Sequence, residues 1–84
     1  MSADEIRDKI KKCIANITYI NPDRIADNAS YANDLAIDSL SILEIVVEVE
    51  YQFQIKVLED ELSAIRTLND TVETVQKYLR AKAA

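Results

Sequence analysis

The sequence contains no histidine, no glycine and no tryptophan, and its 84 residues include one proline and one cysteine. Each absence removes a class of chemistry. Without histidine there is no Ser-His or Cys-His pair, no imidazole acid-base catalyst at neutral pH and no His-containing zinc site. Without glycine there is no dinucleotide fingerprint, no phosphate-cradling P-loop and no Gly-x-Ser-x-Gly nucleophile elbow. The single thiol, Cys13, can form neither an intrachain disulfide nor a metal site by itself. It reads as a small apolar core residue, a reactive thiol being the sharper alternative. No apolar run approaches the ~20 residues of a membrane span. The segment from Met1 to Ile10 is too charged for a signal peptide, so the cytoplasm is the expected compartment. A non-catalytic protein is expected.

What is present is a globular mixture, 49% hydrophobic and 30% charged, far from the composition of a disordered chain. The length suits one domain, residues 1–84, with one modest core and a monomeric state. The net charge of −5, with no stripe of Lys and Arg, speaks against nucleic acid and against stable membrane association.

Ser2 to Glu5 has the Ser-x-x-Glu form of a capping box, and Ile6, Ile10, Ile14 and Ile17 follow at i, i+4, i+8 and i+11. A first helix is predicted from Ala3 to Tyr19, closed by Asn21-Pro22. From Ile20 to Ile37 the period is lost among turn-forming residues, but Ile25, Tyr31 and Leu35 are spaced to pin an ordered, wrapped loop. Asp38 is a good N-cap for a second helix from Ser39 to Phe53. Ile42, Val46, Val49 and Phe53 give that helix a core stripe. Leu40, Leu43 and Val47, interleaved with Glu44, Glu48, Glu50 and Tyr51, form a second stripe, either a wide core contact or a docking face. Glu59-Asp60-Glu61 begins a short third helix with Leu62 and Ile65 on its buried side. Thr67 with Asp70 caps a fourth, whose stripe is Leu68, Val72, Val75 and Leu79 and whose polar tail through Lys82 frays. No strand pattern competes. The predicted fold is all-α, a four-helix bundle with three longer helices, a short third one and a long first loop.

In Asp34-Leu35-Ala36-Ile37-Asp38-Ser39-Leu40 a serine stands at the first turn of a long helix, directly after that loop. Asp-Ser-Leu alone is weak evidence, since a serine often does no more than begin a helix. Its context is more specific. The loop from Ala29-Ser30-Tyr31 into Asp38-Ser39-Leu40, the helix carrying Glu44, Glu48, Glu50 and Phe53, the acidic Glu59-Asp60-Glu61-Leu62 and the closing Thr67-Leu68 to Tyr78-Leu79 together resemble the acyl carrier protein family. They do so in order and spacing along nearly the whole chain.

The resemblance implies a four-helix acyl-carrier bundle in which Ser39 receives 4′-phosphopantetheine from coenzyme A through a phosphopantetheinyl transferase. The chain would then carry acyl intermediates as thioesters for fatty acid, polyketide or specialised lipid biosynthesis. It would meet acyl-loading and acyl-processing enzymes through basic patches on their surfaces. Asp38, Leu40, Leu43, Glu44, Val47, Glu48 and Glu50 are the expected docking residues. Ile45, Val46, Leu62, Ile65, Leu68 and Val72 are expected to line a pocket for a folded-back acyl chain, though an ordinary core needs the same residues. Ala36 and Tyr19 stand where the family often has glycine, Leu58 where it often has proline, and Tyr51 where an acid is common. These departures suggest a carrier dedicated to one pathway. An aminoacyl carrier of the peptidyl or D-alanyl type is an alternative, Asp38 arguing against the peptidyl type. An unmodified helical interaction module is another.

Overall fold

The structure, a computed structural model, describes residues 1–83. Helix α1, Ala3–Thr18, opens on the anticipated capping box. The Glu5 N–H donates to Ser2 Oγ and the Ser2 N–H donates to the Glu5 carboxylate, both at 3.2 Å. The helix stops one residue before the predicted end. Tyr19 adopts a left-handed conformation at φ 63°, and its N–H donates to the Ala15 carbonyl at 2.8 Å. The stop is thus a left-handed cap and not the proline. Pro22 instead starts one turn of 3-10 helix, Pro22–Arg24, capped by the Asn21 side chain.

Helix α2, Ser39–Phe53, and helix α4, Leu68–Ala83, pack with α1 into the bundle, and the short α3, Glu59–Ala64, lies between α2 and α4 in the chain. No β-strand occurs among the described residues. Ile6, Ile10 and Ile14 from α1, Ile45, Val46 and Val49 from α2, and Leu68, Val72 and Val75 from α4 meet in one buried cluster. Two expectations change here. Ile42 is only half-buried and Ile45 lies fully in the core, because the face of α2 opposed to α1 and α4 is turned toward Ile45 and Val49. The predicted fraying tail is instead helical to Ala83.

The loop before α2 is ordered by long-range bonds that no local pattern encodes. Ser30 and Thr67 form an isolated antiparallel bridge, with the Tyr31 N–H donating to the Arg66 carbonyl and the Leu68 N–H donating to the Ala29 carbonyl, both at 3.0 Å. Ile25 and Tyr31 are buried beneath the loop as anticipated, and Leu35 packs against the core. The Tyr31 ring is fully buried and its hydroxyl hydrogen-bonds Thr71 Oγ1 on α4. A buried phenol needs such a partner, since an unpaired hydroxyl costs about 1–3 kcal/mol.

Candidate functional site

The loop delivers the chain to α2 in a fixed register. The Ile37 N–H donates to the Tyr31 carbonyl at 2.8 Å, and Ala36 turns through a left-handed φ of 53°. Ile37 is buried, which anchors the segment one residue before the helix cap. Asp38 then caps α2, its carboxylate accepting from the Ser41 N–H at 2.8 Å. That amide bond holds the Asp38 carboxyl below the usual carboxylate range. Ser39, the first helical residue, is exposed.

From Ser39 a groove of about 660 Å³ runs between α2 and α3. Ile42, Leu43, Leu62 and Ile65 form its apolar wall, while Arg66 and Ser63 bring polar groups to the other side. The acyl-pocket residues read from the sequence therefore divide. Leu62 and Ile65 line the groove, whereas Ile45, Val46, Leu68 and Val72 are packed inside the bundle. Apolar periodicity marked five of the six, Ile45 lying on neither stripe read for α2, and periodicity does not distinguish a groove wall from a core. Arg66 and Ser63 were not singled out from the sequence, and Asn33 only as a turn residue of the loop. Ser63 lines the groove from α3, and Asn33 and Arg66 line it from the two segments that the Ser30–Thr67 bridge joins, a pairing with no local signal.

Along α2, Leu40, Leu43 and Val47 are exposed beside Glu44, and Tyr51 extends the stripe a further turn. Of the two readings of this stripe, a wide core contact is excluded by its exposure. Glu48 is half-buried and accepts from Gln52 Nε2 at 3.0 Å. Glu50 departs from the expectation of a free surface acid. Its carboxylate accepts from the Val57 N–H at 2.8 Å and caps the link between α2 and α3.

The family described as "Phosphopantetheine attachment site" matches residues 8–75. An acyl carrier protein of Lactobacillus acidophilus is 33% identical over 78 residues, covering 93% of this chain and 98% of its own. The chain belongs to the acyl carrier protein family. The meromycolate extension acyl carrier protein of Mycobacterium leprae is similar to this carrier, 36% identical over 92% of the chain and 67% of its own length. The acyl carrier protein of Enterococcus faecalis superimposes with a TM-score of 0.73 at 28% identity, over 93% of this chain and 99% of that one. In fold it is also similar to the doublet acyl carrier protein from prodigiosin biosynthesis, with a TM-score of 0.78 over 88% of this chain and 36% of that one.

Carriers of this family hold 4′-phosphopantetheine covalently and are not themselves enzymes. The residues of this carrier fit that group. Ser39 offers an exposed hydroxyl, and the amides of the first turn of α2 favour an anion there by about 0.3–1 kcal/mol. The neighbouring Asp38 carboxylate is bonded to the Ser41 amide. No described helix is long and apolar enough to cross a membrane.

Proposed function

We propose that Ser39 is the attachment residue for the arm and that the chain carries acyl groups as thioesters on it in a cytoplasmic biosynthetic pathway, of fatty acids, polyketides or specialised lipids. The observation that supports Ser39 is its exposed position at the first turn of α2, at the mouth of the groove. Its hydroxyl has no base to activate it. The chain contains no histidine, and the adjacent Asp38 carboxyl, held below its usual range by the Ser41 amide, is a weak proton acceptor. Ser39 is therefore a substrate. A separate phosphopantetheinyl transferase supplies the base as the Oγ–phosphorus bond forms, the bond to the adenosine bisphosphate of coenzyme A breaks and the serine proton leaves.

Partner enzymes dock on the exposed Leu40, Leu43, Val47 stripe with Asp38, Glu44 and Glu48 beside it. Acidic charge steers encounter with basic patches, and the modest apolar area keeps each complex short-lived. Glu50 contributes by holding the end of α2 to the following link. The test is intact mass after incubation with coenzyme A, magnesium and a promiscuous transferase. The native chain gains one phosphopantetheinyl group and the Ser39→Ala variant gains none; modification of the variant, or of neither chain with several transferases, refutes the assignment.

A further inference from the structure

Among the described residues seven large hydrophobic side chains are exposed, and four of them, Leu40, Leu43, Val47 and Tyr51, stand in one line on α2 at i, i+3, i+7 and i+11. Single exposed apolar residues need no explanation, but a continuous line does. Tyr51 is the barest of the four, 77% exposed, at the end farthest from Ser39. Tyr31 and Tyr78 use their hydroxyls, on Thr71 and on the Leu58 N–H, while Lys9 and Lys77 lie over the Phe53 and Tyr78 rings. The Tyr51 side chain has neither kind of partner among the described residues. Tyr19 is as bare but stands alone at the cap of α1.

The charge around the Tyr51 ring says what it fits. From Ile25 to Ile55 the chain holds Asp27, Asp34, Asp38, Glu44, Glu48 and Glu50 and no lysine or arginine. Glu44 and Glu48, seven and three residues before Tyr51, share its face of the helix, whereas Glu50 is spent on the Val57 amide. A cation meeting this face therefore comes from a partner. A guanidinium suits it, since its plane stacks on an aromatic ring while its N–H groups reach a carboxylate, and an ammonium does both less well.

We propose that Tyr51 is a specificity-determining residue that takes an arginine of the enzymes acting at the thiol end of the arm and is left untouched by the transferase; this rests on the assignment of Ser39 and of the docking stripe. Tyr51 stands about 18 Å along the helix axis from Ser39. The transferase must bring its own active centre to the Ser39 hydroxyl, so it meets the near end of the stripe. An enzyme that acts on the thiol has its centre an arm's length away and can rest on the far end as well. One helix face thus sorts its partners by how far from the serine they reach, and a rigid aromatic side chain supplies the anchor at little entropic cost.

The test converts the native chain, Tyr51→Phe, Tyr51→Leu and Tyr51→Ala to the arm-bearing form and verifies one arm per chain by mass. Failure of the native chain at that step overturns the Ser39 assignment on which the proposal rests. The rate of arm attachment stays within about twofold across the four chains, and their thermal midpoints within about 3 °C, as for exposed substitutions. The arm-bearing chains are then given to an acyl transferase of the source organism that charges the native arm, with kcat and the KM for the carrier measured separately. Tyr51→Ala and Tyr51→Leu raise KM by about 5–30-fold with kcat little changed, the loss of one anchor side chain, and Tyr51→Phe stays close to the native value. Equal KM in native and Tyr51→Ala chains overturns the proposal. So does arm attachment slowed as much as acyl loading, which makes Tyr51 a contact of every partner. A native KM in Tyr51→Leu overturns the arginine by assigning the site to an apolar pocket, and a Tyr51→Phe loss as large as that of Tyr51→Ala overturns it by assigning the contact to the hydroxyl.

Discussion

Replacing Tyr31 by phenylalanine removes a single oxygen atom from the seam that positions the serine loop. The ring is fully buried, and its hydroxyl bonds Thr71 Oγ1, which in turn lies 3.2 Å from the Thr67 carbonyl. In Tyr31→Phe the threonine keeps its donor bond to Thr67 and loses only an incoming one. The expected cost is about 1–1.5 kcal/mol, which lowers the thermal midpoint by roughly 4–10 °C in a domain of this length. Thr71→Val is more harmful, because it strands the phenol hydroxyl without an acceptor, whereas the double variant recovers most of the loss.

The same hydroxyl gives the protein a particular response to alkali. Burial pushes the Tyr31 phenol up to about 12 from its ordinary 10.0. The unfolded chain thus loses this proton near pH 10 while the folded chain keeps it to about pH 12. The contribution is intact below pH 10 and declines between those values, by at most about 2–3 kcal/mol. The buried Cys13 thiol, raised to about 11 by burial, acts in the same direction from pH 9 upward. Urea unfolding from pH 8 to 11, in a Cys13→Ala background, isolates the phenol. Stability falls more steeply above pH 10 with Tyr31 than with phenylalanine. Identical midpoints at pH 8, or identical slopes above pH 10, refute the assignment of this bond.

Ala36→Gly, which relieves a left-handed φ of 53° at an exposed position, raises stability by about 0.5–1 kcal/mol, measured by urea midpoint. Glu50→Ala loses the cap on the Val57 amide and costs about 1 kcal/mol, whereas Glu44→Lys leaves the urea midpoint within about 0.5 kcal/mol. In loading assays the Glu44→Lys variant is several-fold slower at low salt and matches the native chain at high salt. Cys13, buried in the core with its thiol raised to about 11, stays unreactive toward a thiol reagent at pH 8 until the chain opens.

The helices were legible in the sequence because their signals are local. Ser2 with Glu5, Asp38 before α2 and Thr67 with Asp70 each close a cap within four residues, and each forms in the structure. The position of Ser39 was legible for the same reason. What was not legible is non-local. The bridge between Ser30 and Thr67, the exposure of Arg66 in the groove and the use of Glu50 as a cap depend on residues several positions or half a chain apart. The groove itself was misread in part, since an apolar stripe on α2 or α4 states that a residue is covered and not by what. The left-handed caps at Tyr19 and Gln54 also ended their helices without the glycine that ordinarily announces such a turn.

Helix α3 is built more lightly than its neighbours. It has six residues, none of them buried, and no side-chain cap at Leu58. Leu62 packs on the core, Ile65 is buried just beyond the helix, and Glu61 is joined to Lys77 at 2.8 Å. The opposite wall of the groove is α2, locked into the bundle by Ile45, Val46 and Val49. The groove is therefore a vice with one fixed jaw and one sprung jaw. On the proposed assignment of Ser39, the serine and the exposed Leu40, Leu43 and Val47 stripe both belong to the fixed jaw, so a load that displaced α3 would leave the face offered to each enzyme unchanged.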